Sequence, residues 1–193
     1  MSDHSHSSQP QPDLIPSQKT GGLALAFGAA GLIGLGATTF LALQNREQFA
    51  YSWLFAIFYF FTLCVGSLFW TFVHHATDAE WSVLVRRQLE NVAALIPIVA
   101  LFFFATVWFN APILYKWWNM AHGVNELLDK KSAFLNQKGF LIRAVLYFVA
   151  LSFLALRNRA NSTKQDADGH PVFTIRLRRL SFMGIPAMAL SLT

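Results

Sequence analysis

A chain of 193 residues that is 54% hydrophobic and 15% aromatic but only 13% charged departs from soluble domains, in which about 25% of residues are charged. With 19 Phe and 6 Trp against 10 acidic and 15 basic side chains, there is too little polar surface to face water, which excludes a soluble globular domain. The formal charge of +5 gathers on no basic face; the cations sit in short loops between apolar runs, which argues against a nucleic-acid partner and makes them topology signals.

Residues 1–20 are rich in Ser, His, Gln and Pro without apolar periodicity, so a disordered tail is expected, with His4 and His6 solvated. The first apolar run is too long for a signal peptide and no cleavage site follows it. Residues 21–43 are uncharged and as a helix would span about 34 Å, enough for a ~30 Å hydrocarbon core. Gly22, Ala26, Ala30, Gly34 and Thr38 recur every fourth position, a ridge of small residues that either admits a close helix neighbour or reflects ordinary Gly and Ala use in membrane helices.

A second uncharged, aromatic-rich span covers 49–73 and runs into His74, His75, Thr77 and Asp78. Thr77-Asp78-Ala79-Glu80 reads as a capping box, predicting a new helix from Asp78. Trp81, Leu84, Val85 and Leu89 give this helix an apolar face beside Arg86, Arg87 and Glu90, suited to a membrane boundary. The third span, 92–115, contains Pro97, which predicts a kink, and Tyr115, Trp117 and Trp118 mark its exit. After a polar connection carrying His122, Glu126 and Asp129, the fourth span covers 139–156, with Arg143 one turn from its start, where a guanidinium can snorkel. Residues 157–179 are hydrophilic and basic, and 180–193 are apolar again. At about 21 Å of helix that last run is expected to be an incomplete fifth span, continued by further chain.

The fold class is therefore all-α: a polytopic membrane protein with four transmembrane helices and the start of a fifth. The tail and the second and fourth loops hold nine Lys and Arg against five in the first and third, so the N-terminus is expected in the cytoplasm. Cys64 is the only cysteine, which excludes a disulfide framework, a cysteine-ligated iron–sulfur cluster and a C-x-x-C-H haem attachment.

His74, His75 and Asp78 share one helical turn at the expected cytoplasmic mouth of the second span, with Arg86 and Arg87 about two turns on. Imidazole beside carboxylate at a membrane boundary can exchange protons near neutral pH, as a quinol site or proton entry path requires. Equally, the cluster can anchor the helix corner through caps and ion pairs. A b-type haem would need histidines on facing helices at one depth, whereas His122 falls on the opposite side and His170 in a loop. Around Arg143, a second group comprises Trp117, Trp118, His122 and Glu126. A cation one turn inside the boundary seeks a carboxylate, a ligand oxygen or, by default, a lipid phosphate.

Three separated stretches add a resemblance. His74-His75-Ala76-Thr77-Asp78-Ala79-Glu80-Trp81-Ser82-Val83 with Val85-Arg86-Arg87, Lys131-Ser132-Ala133-Phe134-Leu135-Asn136 leading into Phe140-Leu141-Ile142-Arg143-Ala144-Val145-Leu146-Tyr147-Phe148, and Arg176-Leu177-Arg178-Arg179-Leu180-Ser181 resemble, in this order, the ActF-type membrane subunits of alternative complex III, in the NrfD-like polysulfide reductase membrane-subunit superfamily. The resemblance runs from about Gly21 onward and covers the N-terminal half of such a subunit, its first helix bundle. It implies an integral subunit of a quinol:electron-acceptor oxidoreductase in the bacterial cytoplasmic membrane, contributing to quinol binding, proton movement or assembly. Partner subunits would carry the haem and iron–sulfur clusters, and this chain would bind quinol or quinone at most. His74, His75, Asp78, Arg86, Arg87 and Arg143 are its candidate site residues. The alternative is a free-standing four-span carrier or scaffold. No Gly-rich phosphate loop, nucleophile elbow or metal-ligand spacing marks a self-contained active site.

Overall fold

Inside a bilayer every backbone N–H and C=O must be paired within the protein, and helices do this segment by segment. The structure, a computed structural model, describes residues 21–77, 83–119, 126, 130–132, 134–168 and 171–192; the expected tail, Asp78 and His122 lie outside them. Every regular element among the described residues is helical: α1 (Gly21–Gln44), α2 (Arg46–Ala76), α3 (Val83–Ala93), α4 (Ile96–Leu114), α5 (Gln137–Asp168) and α6 (Pro171–Leu192). Four stretches among them are long and apolar enough to cross a membrane: Gly21–Gln44, Arg46–Ala76, Val85–Leu114 and Gln137–Asp166. The chain is an all-α, multi-pass membrane protein.

Residues 1–44 form one unit and 45–193 another. In the first, α1 buries none of its residues. Its two hydroxyls close on their own helix: Thr38 Oγ1 donates to the Gly34 and Leu35 carbonyls, and Thr39 Oγ1 to those of Leu35 and Gly36. A helix facing hydrocarbon cannot leave such donors unpaired.

In the second unit α2 is central, packing on α3, α4 and α6, while α5 packs on α3, α4 and α6. The Asn45 side chain caps α2 by accepting from the Gln48 amide at 3.0 Å. Leu68, Phe72, Ile96 and Leu177 are fully buried, and Leu151 and Met188 nearly so. Close approach of α6 to α2 depends on Gly184, where a Cβ would stand 2.4 Å from the Phe72 ring. Antiparallel register between α3–α4 and α5 is fixed at three levels: Arg87 meets Asp166, the Phe103 and Phe104 rings pack against Phe148, tilted and edge-on, and the Tyr115 ring packs tilted against Phe140.

Two expectations change. The third span is two helices, because Pro97 has no amide to donate and its ring excludes the Ala93 carbonyl from a continuous helix. α3 therefore ends at Ala93 and α4 begins at Ile96 with Pro97 in its first turn, where a proline costs least. The Leu95 carbonyl serves both new amides, accepting from Ile98 at 2.9 Å and Val99 at 3.0 Å. Secondly, residues 157–179 form no long hydrophilic connection: α5 continues to Asp168 and α6 starts at Pro171. At the end of α2, Thr77 Oγ1 donates to the Val73 carbonyl at 2.9 Å, and Thr77 is the C-cap. The remainder of the expected capping box, Asp78 and Glu80, lies outside the described residues.

Candidate functional site

At the end of the bundle where α2 stops and α3 begins, polar side chains are buried that no hydrophobic argument would place there. Glu90 on α3 is 1% exposed. One carboxylate oxygen, Oε2, accepts from Arg87 Nη1 at 2.8 Å. The other, Oε1, has no hydrogen bond among the described residues and lies 3.7 Å from His75 Nε2 and 3.9 Å from Arg86 Nε. Helical geometry explains the arginines, since positions three and four residues back lie on the same face as Glu90. His75 comes from the last turn of α2, also buried.

Arg87 holds two acids at once. Besides Glu90, its Nη2 pairs with Asp166 Oδ2 near the end of α5. The pair thereby ties α3 to the extension of α5 that the sequence had suggested to be loop. Because Glu90 is buried, removing Arg87 would leave its carboxylate without a donor and cost about 3–5 kcal/mol, whereas the pair with the exposed Asp166 contributes about 1 kcal/mol or less.

Of the residues singled out from the sequence, His75, Arg86 and Arg87 thus converge on one carboxylate. His74 is buried beside them, its ring 5.9 Å from that of Trp70. Asp78, expected to supply the acid, lies outside the described residues. Glu90 takes the role of buried acid in the described cluster, and the sequence reading passed over it. A signal for it exists: Glu90 is the last charge before the uncharged third span and sits three and four residues after two arginines.

A polar face on α5 completes the surroundings. Asn158, Asn161 and Ser162 are buried, and Gln165 is half-buried; the spacing of three and four residues puts all four on one side of the helix. Gln165 Nε2 donates to Thr174 Oγ1 on α6 at 2.7 Å. None of these four was among the sequence candidates.

Arg143 lies elsewhere. It sits near the start of α5, about 35 Å along the helix from Asp166. Its Nη2 donates to the Phe134 carbonyl at 2.7 Å and its guanidinium lies 3.9 Å above the Phe134 ring. The helix start beneath it is capped by Asn136, whose Oδ1 accepts from the Gly139 amide. Beside Arg143 is a cavity of about 450 Å³, whose walls include Phe61, Phe103, Tyr115, Phe148 and Tyr147. Trp117 and Trp118 pack tilted against Tyr115 and edge-on against Phe140 at this end, and Arg46 joins α2 to α4 through the Phe109 carbonyl at 2.6 Å.

Two chemistries are therefore spatially separate: a buried, ionisable cluster at one end of the bundle and an aromatic cavity with a single guanidinium at the other. No family model matches this sequence, and no curated protein does.

Proposed function

We propose that this chain is a membrane subunit of a quinol:electron-acceptor oxidoreductase complex in the bacterial cytoplasmic membrane, and that Glu90 with His75 carries protons in it. The observation that supports this most is the burial of Glu90. An ionisable side chain inside a membrane bundle is costly and marks a functional site by default, and a carboxylate beside an imidazole supplies the acid–base groups that proton transfer needs. Arg87 balances the charge of Glu90 through Oε2, leaving Oε1 as the oxygen that can be protonated. The aromatic cavity beside Arg143 falls in the size range of small-molecule sites, and its flat, apolar walls with one cationic donor suit a quinone ring. Haem and iron–sulfur clusters are assigned to partner subunits, and the membrane lipids are the remaining partners.

The test is Glu90→Gln in the complex purified in mild detergent. Glutamine keeps the shape and can still accept from Arg87, but takes up no proton. Quinol-linked turnover or proton uptake is expected to fall by roughly 10²-fold, the contribution of one positioned acid–base group, with assembly intact. Unchanged turnover in an assembled complex would overturn the role of Glu90. A chain that purifies alone, without a haem spectrum, would favour the free-standing carrier.

A further inference from the structure

Five buried side-chain atoms on α2, α3 and α5 have no hydrogen-bond partner among the described residues: Glu90 Oε1, His75 Nε2, Asn158 Oδ1, Ser162 Oγ and Gln165 Oε1. One such atom can be an accident of packing. Five call for partners, because each unpaired buried polar group costs about 1–3 kcal/mol.

Their placement follows from the register. With Arg87 against Asp166 and Phe103 against Phe148, α3 and α5 run antiparallel, and Glu90 stands level with Ser162. Asn158 is one turn deeper, about 6 Å along the axis, and Asp166 one turn shallower by the same distance. Asp166 has a half-exposed side chain and so reaches water. In depth the unpaired atoms therefore follow one another from the exposed end of α5: Gln165 first, then Ser162 level with Glu90, then Asn158. The 3.7 Å gap between His75 Nε2 and Glu90 Oε1 is too long for a direct hydrogen bond and suits a shared intermediary.

A bound cation does not fit, since Arg86, Arg87 and His75 already surround the one carboxylate buried among the described residues. Water fits: it can donate to Glu90, Asn158 and Gln165, exchange hydrogen bonds with Ser162 and His75, and needs two to four such polar partners to be held. Two waters at ordinary hydrogen-bond spacing cover each helical turn of about 6 Å.

We infer that the seam where α3 meets α2 and α5 binds a chain of ordered water molecules that connects Glu90 to the aqueous phase beside Asp166. The inference deepens the reading of Glu90 as a proton carrier by supplying its route: a proton from bulk water passes along the chain to Glu90 Oε1, and its release retraces the same bonds. Asn158 ends the chain on the inner side, holding the last water where the apolar core begins.

The test is radiolytic labelling of the protein in lipid nanodiscs, in which an X-ray pulse converts bound water to hydroxyl radical where it lies. Oxidation is read by mass spectrometry after rapid mixing with ¹⁸O-water. His75 is 8% exposed and Phe103 6%, so bulk radicals treat them alike; His75 is expected to be oxidised at least fivefold faster after correction for intrinsic reactivity, and to carry ¹⁸O. The double variant Asn158→Leu, Ser162→Val is expected to lose that excess. Absence of excess at His75 in the wild type would overturn the water chain, without relying on any variant to fold. Excess that carries only ¹⁶O would overturn its connection to bulk water, and excess that persists in a folded double variant would overturn its path. Unchanged turnover in Glu90→Gln bears on the proposed function alone, so the two ideas fail separately.

Discussion

Gly184→Ala isolates the tightest contact in the bundle. The added Cβ would lie 2.4 Å from Phe72 Cε2, 2.8 Å from Cζ and 2.9 Å from Cδ2, whereas carbon atoms settle about 3.5–4.0 Å apart. An overlap of roughly 1 Å with one edge of the ring cannot be relieved by a small rotation, because Phe72 is fully buried. Either the ring leaves its well or α6 retreats from α2, and overpacking of this kind costs about 1–3 kcal/mol. The upper part of that range is expected, since retreat of α6 would also loosen the buried Leu177 and Met188. Phe72→Leu removes Cε2 and Cζ, the two closest of the three overlapping atoms, so the two substitutions should be less harmful together than their separate costs add up to. Reversible unfolding in bicelles would give the cycle, with an expected coupling of about 1–2 kcal/mol. Additivity within about 0.5 kcal/mol, or an alanine variant as stable as wild type, would refute the close approach of α6 to α2.

Arg143→Lys should lower stability by about 1 kcal/mol, because the ammonium loses the stacked contact with Phe134 and the planar fork that holds its carbonyl; thermal unfolding in detergent would measure it, and a lysine variant equal to wild type would mean that the position needs only a cation. Topology is testable by cysteine labelling of intact cells: position 138 should react from outside, and position 164 only after permeabilisation, with the opposite pattern reversing the orientation.

Hydropathy made the membrane spans legible because a 20-residue uncharged run has few other uses. The break in the third span was half legible, since Pro97 announces itself but only the structure puts it in the first turn of α4 rather than at a kink. The extension of α5 escaped for a definite reason. Its buried face is polar, with Asn158, Asn161, Ser162 and Gln165 at helical spacing, and apolar periodicity cannot register a face that packs through hydrogen-bonding groups. The same blindness hid Glu90, which sits just outside the uncharged run that defined the span. His75 was found because residues of one turn, here with His74 and Asp78, are neighbours in sequence as well as in space, and Arg86 and Arg87 because they are charges at a membrane boundary. Arg143 was found as a cation out of place, but the Phe134 carbonyl nine residues earlier lies in a connection whose path no periodicity encodes.

α5 is a 32-residue helix that begins beside the aromatic cavity and ends beside the buried acid. Along its axis an α-helix behaves as a stiff strut, its hydrogen bonds in series and its length fixed at about 1.5 Å per residue. A slide of α5 that shifts Arg143 by a fraction of an ångström therefore arrives almost undiminished at Ser162 and Asp166, about 35 Å away. Rotation is transmitted in the same way: a turn of about 100°, one residue's worth, carries the polar face of α5 away from Glu90. Mechanically, the two ends of the bundle are parts of one lever.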